Sequence, residues 1–187
     1  RIFVHEKIFF DWTSKFVQAA KNLRIGDPLE ESTELSAMID EKAAATSQQW
    51  INEAEQNGAE ILCGNSRQGS ILDATVLTKT SPEMRVVAEE IFAPVAVVEK
   101  FSNFEEAVSA ANDSKFGLQA GVFTNDLRNM QFAAENLETG GVIINDVPTF
   151  RVDNMPYGGV KDSGFGREGV RYAMEEMSEI RLIVMNF

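Results

Sequence analysis

The sequence predicts an α/β fold, in which an open, mostly parallel and doubly wound sheet carries helices on both faces. Short and nearly continuous apolar runs, such as PVAVV (94–98) and GGVII (140–144), have the length and composition of buried strands. Segments with helical spacing alternate with these runs, and strand–helix–strand order is the pattern of a parallel sheet with crossover helices. With 187 residues, 44% of them hydrophobic and 25% charged, the chain can bury a core without disulfide bonds.

The first part of the chain is predicted to contain two helices. In residues 6–23, apolar side chains recur at spacings of three and four, and a Gly and Pro cluster at 25–28 ends the pattern. The recurring residues are Ile8, Phe9, Trp12, Phe16 and Ala20. The second helix covers about 40–56, and its buried stripe is formed by Ala43, Ala44, Trp50, Ile51 and Ala54. Gly58 follows this helix and suits a left-handed C-terminal cap.

The period then changes to that of strands, which we expect at 61–63, 72–77 and 95–101. Ser102 and Glu105 form an S-x-x-E capping box that opens the next helix. The later elements are an apolar run at 118–124, a helix over about 126–137, the run GGVII and a helix over 167–177. Residues 1–147 are therefore predicted to form one continuous α/β unit, which a loop-rich stretch follows.

Net charge and cysteine content exclude several kinds of partner and site. The formal net charge is −12 and the basic residues are scattered, so neither nucleic acid nor a membrane surface is expected as a partner. One cysteine, Cys63, and one histidine, His5, provide neither an internal disulfide nor a Cys/His zinc site, and no metal site is predicted. No apolar run approaches the roughly 20 residues of a membrane span. A reducing, cytoplasmic setting fits best.

The stretch GFGREG (164–169) satisfies the G-x-G-x-x-G pattern of dinucleotide-binding loops. That fingerprint follows an apolar strand, opens a helix and has an acidic residue about 20 positions further on, and only the helix is expected here. The sequence favours a loop in which Gly158, Gly159, Gly164 and Gly166 supply positive φ angles. The loop-rich stretch at 148–169 is longer than about 12 residues, and loops of that length are usually functional. A free-standing nucleotide-binding protein that uses GFGREG is the alternative.

Three segments, in matching order and at matching intervals, resemble motifs of the aldehyde dehydrogenase family. EEIFAPV (89–95) is similar to E-E-[IL]-F-G-P, FGLQAGVFT (116–124) to Y-G-L-x-x-x-V-F-T, and MPYGGVKDSGFGREG (155–169) to P-F-G-G-x-K-x-S-G-x-G-R-E-x-G. Ala93 stands where the family has Gly, which is tolerable if its φ is negative, and Tyr157 replaces a Phe. The resemblance covers essentially the whole chain.

The resemblance implies an NAD(P)-dependent enzyme that oxidises a small aldehyde to a carboxylate. In this family a cysteine thiolate attacks the aldehyde, an oxyanion hole holds the thiohemiacetal, hydride passes to NAD or NADP, and a Glu activates the hydrolytic water. RIFVHEKIF (1–9) resembles the segment just past that cysteine, and the sequence lacks an initiator Met. The cysteine, the Glu and the N-terminal nucleotide-binding domain are therefore expected upstream of Arg1, and this chain alone is expected to be inactive.

By the same resemblance, residues 1–170 form the catalytic domain, and residues 171–187 form the end of a helix and an oligomerisation strand. The final stretch, SEIRLIVMNF (178–187), is apolar and has no obvious partner in the chain, and an exposed apolar strand is a liability unless it is paired. A homo-oligomer that pairs this strand with another subunit is expected. The alternative is a truncated, non-catalytic module that associates with full-length subunits through the same strand.

The cofactor-binding residues implied by the resemblance are Glu90 and Phe92. A carboxylate can accept two hydrogen bonds from the nicotinamide ribose diol, and an aromatic face can confine the nicotinamide ring. The other interpretation is a solvated helix end for Glu90 and a core aromatic for Phe92. Cys63 is expected to be a small buried side chain rather than a nucleophile, and His5 a surface or loop residue without a chemical role.

The substrate-binding residues implied by the resemblance are Phe150, Arg151 and Tyr157, on a loop that lines the substrate tunnel of similar enzymes. Tyr157 would pack against the aldehyde, and the Arg151 guanidinium suits a carboxylate or phosphate on the substrate. The other interpretation pairs Arg151 with Asp153 or Asp146 on the surface. The motif most resembles family members that oxidise small hydroxylated or anionic aldehydes.

Overall fold

The computed structural model describes all 187 residues, Arg1–Phe187. They divide into two compact units, Arg1–Asn103 and Phe104–Phe187, called unit 1 and unit 2 below. The division lies inside the stretch 1–147, which the sequence predicts to be one continuous unit. The predicted domain boundary at residue 170 rests on the family resemblance and stays a prediction.

Unit 1 contains three helices and six strands. In chain order these are β1 (Ile2–His5), α1 (Glu6–Lys21), α2 (Glu41–Gln56), β2 (Glu60–Cys63), β3 (Arg67–Gln68), β4 (Ile71–Leu72), β5 (Thr75–Thr78), α3 (Arg85–Ala88) and β6 (Val95–Phe101). Four of the strands form one sheet in the order β1-β6-β5-β2. β6 is parallel to both β1 and β5, whereas β2 runs antiparallel to β5. The predicted α/β class with mostly parallel pairing is confirmed.

Helices cover both faces of this sheet because successive residues of a buried strand point to opposite sides. On one face, Val4, Val76 and Val98 pack against the apolar stripe of α1. On the other face, Leu77 and Val97 pack against α2 and α3. Part of the stripe predicted for α2 is almost completely buried, namely Ala44, Ile51 and Ala54.

Two parts of unit 1 differ from the prediction. Residues 2–5 form the edge strand β1, which the sequence pattern does not predict, because four residues followed at once by a helix are too short to show a strand period. The predicted strand at 72–77 is divided into β4 and β5. The division occurs where the Asp73 N–H bonds to the Ser66 carbonyl at 2.9 Å, beside a two-residue hairpin of β3 and β4.

Unit 2 contains α4 (Phe104–Asn112), β7 (Phe116–Gly117), β8 (Gln119–Val122), α5 (Leu127–Asn136), β9 (Gly141–Ile144), β10 (Val160–Lys161) and α6 (Val170–Glu176). β8 and β9 are parallel and α5 connects them, so the predicted strand–helix–strand order is confirmed. α4 packs on α5 through Phe104 and Phe132, whose ring centroids are 6.4 Å apart. β10 pairs antiparallel with β7, which ties the glycine-rich stretch to the residues before β8.

Residues 178–187 form neither helix nor strand in this structure of one chain. Their large apolar side chains are exposed: Ile180, Leu182, Ile183, Val184, Met185 and Phe187. A strand whose ladder partner belongs to a second subunit has no hydrogen-bond partner within one chain. The oligomerisation strand therefore stays a prediction.

Candidate functional site

Glu90 and Phe92 lie in the loop that joins α3 to β6 in unit 1. α3 ends at Ala88, and the Ala93 N–H then bonds to the Ile91 carbonyl at 2.5 Å in a tight turn. Ile91 and Ala93 pack against the core beside α2, whereas Glu90 and Phe92 are exposed. The local fold therefore turns both predicted cofactor-binding side chains away from the core.

The exposure of Phe92 distinguishes between its two interpretations, an aromatic that contacts the nicotinamide and a core aromatic. Phe92 is 86% exposed and therefore does not belong to the core of these 187 residues. An exposed Phe forgoes roughly 1.5–3 kcal/mol of burial free energy. An open aromatic face and an accessible carboxylate two residues apart fit a nicotinamide ring and a ribose diol. The φ of Ala93 is not positive, so the Ala in place of Gly causes no backbone strain.

Arg151 lies in the loop after β9 in unit 2 and contacts two residues that are bonded to each other. The Tyr157 N–H donates to the Glu168 carbonyl at 3.2 Å, and the Glu168 N–H donates to the Tyr157 carbonyl at 2.6 Å. Arg151 Nη2 donates to Glu168 Oε2 at 2.8 Å, and the guanidinium carbon lies 4.4 Å from the centroid of the Tyr157 ring. Arg151 forms a surface ion pair, as its alternative interpretation states, but the partner is Glu168 rather than Asp153 or Asp146.

This Arg151 cluster is open to solvent. The side chain of Arg151 is 44% exposed and that of Glu168 is 64% exposed, and an ion pair this exposed contributes roughly 0–1 kcal/mol. One hydrogen bond to Glu168 uses one of the five N–H donors of a guanidinium. Arg151 therefore retains donors that can bind a carboxylate, sulfonate or phosphate with two parallel hydrogen bonds.

Phe150 is exposed and lies in a turn in which its N–H donates to the Val147 carbonyl at 3.1 Å. Gln119, the first residue of β8, reaches this turn from the sheet. Gln119 Nε2 donates to the Pro148 carbonyl at 2.7 Å and more weakly to the Phe150 carbonyl at 3.4 Å. The structure thus brings Phe150, Arg151 and Tyr157 onto one loop surface of unit 2, while Glu90 and Phe92 belong to unit 1.

The glycines of the stretch 156–169 serve two different purposes. Gly164 and Gly166 have φ angles of +121° and +75°, as predicted. The prediction is wrong for Gly158 and Gly159, which are not among the positive-φ glycines. A Cβ on Gly158 would lie 2.6 Å from the Gly166 carbonyl oxygen, so Gly158 is required by a close approach of two backbone segments. GFGREG itself follows the two-residue strand β10 and a turn, which is not the setting of a dinucleotide fingerprint.

Lys161 holds the first half of the stretch 156–169 in place. Its Nζ donates to the carbonyls of Asn112 at 2.8 Å and Ser114 at 3.2 Å, and it lies 2.6 Å from Glu138 Oε2. Asn112 is the last residue of α4, so the ammonium group also lies at the negative end of a helix dipole. The Lys of the G-G-x-K motif therefore has a structural role here.

Cys63 and His5 both have structural roles. Cys63 is 8% exposed in the core beside α1, and its Sγ lies 3.8 Å from the Ala74 carbonyl. Burial raises the pKa of the Cys63 thiol, which opposes the thiolate form that a nucleophile requires. His5 ends β1 rather than lying in a loop, and its Nδ1 accepts the Lys7 N–H at 3.2 Å to cap α1.

No group of three or more His, Cys, Asp or Glu side chains is placed to hold a metal ion. None of the helices combines the length and the apolar character that crossing a bilayer requires.

Comparison with known proteins decides the family. The family model described as the aldehyde dehydrogenase family matches residues 1–183. The chain belongs to the aldehyde dehydrogenase family. A curated family member, the 3-sulfolactaldehyde dehydrogenase of Priestia aryabhattai, is 43% identical over 186 residues, which cover 100% of this chain and 39% of that protein. The chain thus spans about two fifths of the length of the relatives it matches.

Two solved structures of aldehyde dehydrogenases are close to this chain. Aldehyde dehydrogenase 21 of Physcomitrella patens, in complex with the reaction product succinate, matches with a TM-score of 0.96 and 45% identity over 98% of this chain and 38% of that protein. Glyceraldehyde-3-phosphate dehydrogenase of Methanocaldococcus jannaschii, complexed with NADP, matches with a TM-score of 0.91 and 42% identity over 96% of this chain and 39% of that protein. These similarities confirm the α/β fold of the family.

Sequence reasoning missed two residues of the unit 2 site, Glu168 and Gln119. Glu168 is the Glu of the G-R-E motif, but no local sequence pattern pairs it with Arg151. Gln119 occupies an unspecified position of the Y-G-L-x-x-x-V-F-T motif. A polar side chain at the start of an apolar strand run was the signal that could have found it.

Proposed function

We propose that this chain is part of an NAD- or NADP-dependent aldehyde dehydrogenase that oxidises a small aldehyde carrying an acidic group to a carboxylate. Family membership over residues 1–183 supports the reaction class. The observation that carries the substrate class is Arg151, which lies on the loop after β9 with unused guanidinium donors at an accessible surface. Oxidation proceeds through a thiohemiacetal on a cysteine outside these 187 residues.

The cofactor-binding part of the proposal rests on Glu90 and Phe92. Glu90 accepts hydrogen bonds from the two hydroxyls of a ribose, and Phe92 offers a flat apolar surface to a planar ring. A bound nicotinamide dinucleotide supplies the hydride acceptor. Because Phe92 is already exposed, burying its ring against a planar group is favourable and requires no displacement of core side chains.

The substrate part of the proposal rests on the chemistry of the Arg151 cluster. Tyr157 lies against the guanidinium at 4.4 Å and restricts where it can move, while Glu168 occupies one of its donors. Three of the similar proteins are named for, or contain, anionic compounds. Sulfolactaldehyde and glyceraldehyde-3-phosphate carry a sulfonate and a phosphate, and succinate retains a carboxylate at the end that is not oxidised. A guanidinium binds each of these groups in the same bidentate manner.

Replacement of Arg151 tests the substrate class. In the full-length protein, Arg151→Ala should raise KM for succinate semialdehyde and leave KM for butanal, its neutral counterpart, nearly unchanged. A partly exposed charged hydrogen-bond pair is worth about 1–2 kcal/mol, which corresponds to roughly 5- to 30-fold in KM. Arg171→Ala is the matched control, because Arg171 forms an ion pair of the same length, 2.8 Å, with Glu175 on α6. An unchanged KM for succinate semialdehyde in Arg151→Ala would refute the anionic class.

We also propose that the 187-residue chain has no dehydrogenase activity by itself. Its single cysteine is buried in the unit 1 core, so it is not available to attack an aldehyde. NADH or NADPH production by the purified 187-residue chain with any aldehyde would contradict this part of the proposal.

A second candidate function is that of a non-catalytic module that associates with full-length subunits. The exposed apolar side chains of residues 180–187 favour it, because they form a segment that a partner strand would cover. Homo-oligomer formation through the same segment is proposed for the full-length protein. The coding sequence upstream of Arg1 distinguishes the two, since a Cys codon within about ten residues, preceded by a long open reading frame, identifies part of an enzyme rather than a truncated module.

A further inference from the structure

We infer that Gln119 is a positioning residue that holds the backbone of the Phe150–Arg151 segment in place, and that Gly141 leaves the space which the Gln119 side chain occupies. This inference rests on the proposed function, because the segment carries the guanidinium to which we assign the substrate anion. Gln119 is distant in sequence from the loop and contacts neither Arg151 nor Tyr157 by a hydrogen bond of its own side chain.

The orientation of the Gln119 amide is determined by its neighbours. Nε2 faces the carbonyl oxygens of Pro148 and Phe150, at 2.7 and 3.4 Å. If the amide were turned around, its oxygen would face two acceptors, so only the observed orientation is compatible with the loop. Oε1 is consequently buried without a hydrogen-bond partner. A buried unpaired acceptor is unfavourable, and the hydrogen bonds from Nε2 to the loop carbonyls offset this cost.

Gly141 is directly opposite Gln119 in the parallel pair of β8 and β9. A Cβ on Gly141 would lie 2.7 Å from Gln119 Oε1 and 3.3 Å from both Cδ and Cγ, so the Gln119 side chain lies over the glycine. The φ of Gly141 is not positive, and the backbone itself therefore accepts other residues. Since the nearest atom is the far end of a flexible side chain, an Ala at this position would displace Gln119 and spare the strand.

The segment is thus held at two separate points. The Gln119 amide holds the carbonyl of Pro148 at 2.7 Å and more weakly contacts that of Phe150 at 3.4 Å, which belongs to the peptide group immediately before Arg151. Glu168 and Tyr157 hold the guanidinium at the other end of the Arg151 side chain. Loss of the first point leaves the guanidinium contacts present but allows the backbone that carries them to move, so anion binding weakens without loss of the charge.

Two substitutions that share no chemistry test this inference. In the full-length protein, Gln119→Met removes the amide while keeping the length of the side chain, and Gly141→Ala displaces the amide by steric contact. Both should accelerate amide hydrogen exchange in peptides covering 147–152 by about 10-fold, as expected for loss of one or two hydrogen bonds. The double variant should exchange no faster than either single variant, because both remove the same contact. Gln131→Met is the control, since the Gln131 amide bonds only to Glu135 along α5.

The KM values provide a second measurement, which the loss of a purely structural residue would not change selectively for the anionic aldehyde. Both variants should raise KM for succinate semialdehyde by about 3- to 10-fold while KM for butanal changes by less than about 2-fold. Unchanged exchange at 147–152 in Gln119→Met overturns the inference, and so does additive behaviour of the double variant. If exchange responds as expected but Arg151→Ala leaves KM for the anionic aldehyde unchanged, the proposed substrate class fails while the positioning of the segment by Gln119 stands.

Discussion

Replacing Lys161 by Met should loosen the start of the glycine-rich stretch. The substitution keeps a long apolar side chain but removes the ammonium group that bonds to the carbonyls of Asn112 and Ser114 and pairs with Glu138. The Lys161 side chain is only 28% exposed, so water replaces these contacts incompletely. Local stability of unit 2 should therefore fall.

The magnitude follows from the three contacts. Hydrogen bonds to a charged donor contribute about 1.5–3 kcal/mol when they are buried, and about 1 kcal/mol each is reasonable here, because water reaches part of this group. The Glu138 side chain is 60% exposed, so its ion pair adds no more than about 1 kcal/mol. The sum is about 2–3 kcal/mol, which corresponds to roughly 30- to 150-fold faster hydrogen exchange where local opening is limiting.

Amide hydrogen exchange followed by mass spectrometry measures this effect. Peptides covering 114–118 and 159–164 should lose protection in Lys161→Met, while those covering β5 and β6 should not. Glu138→Gln separates the ion pair from the carbonyl bonds and should change exchange by about 5-fold or less. Added salt should reduce the Glu138→Gln effect and leave most of the Lys161→Met effect. Protection that is lost equally in both units, or that falls by less than about 3-fold, would refute the reasoning.

Three further predictions concern the other features. In the full-length protein, Glu90→Gln and Phe92→Ala should each raise KM for NAD or NADP by about 5- to 30-fold. Neither should alter thermal stability, because both side chains are exposed, and a lowered melting temperature would indicate a structural role instead. Native Cys63 should react with iodoacetamide more slowly than the same thiol in urea, and its pH profile should be displaced to higher pH, because burial raises the pKa of the thiol. The neutral buried thiol stabilises the fold below the ordinary thiol pKa, and this stabilisation is lost as the pH rises through the folded-state pKa. Deletion of residues 178–187 from the full-length protein should reduce its mass by light scattering to that of a smaller assembly, and an unchanged mass would exclude this segment from the subunit interface.

The sheet of unit 1 was largely predictable because its signals are local. The strand expected at 95–101 is observed at Val95–Phe101, since a run of apolar residues in a central parallel strand is buried on both faces. The helix expected over about 40–56 is observed at Glu41–Gln56, where Asp40 caps the first turn through a 2.6 Å bond to the Ala43 N–H. Two-residue strands such as β3 and β10 have no such signal, because their pairing depends on the surrounding loops.

The candidate site was predictable only in part. The motif resemblance identified the loops that carry Phe92 and Arg151, but the partner of Arg151 is 17 residues away in sequence. That pairing follows from the two backbone hydrogen bonds between Tyr157 and Glu168, which no local pattern contains. Gln119 was missed for a similar reason, since its role depends on the empty space above Gly141 in a neighbouring strand.

The division of the chain into two units also distributes its chromophores. Both tryptophans, Trp12 and Trp50, belong to unit 1, and both tyrosines, Tyr157 and Tyr172, belong to unit 2. Selective excitation of indole therefore reports unfolding of unit 1 in the 187-residue chain, and the near-ultraviolet tyrosine signal reports unit 2. A denaturation experiment on a single unlabelled sample can show whether the two units unfold together or in sequence.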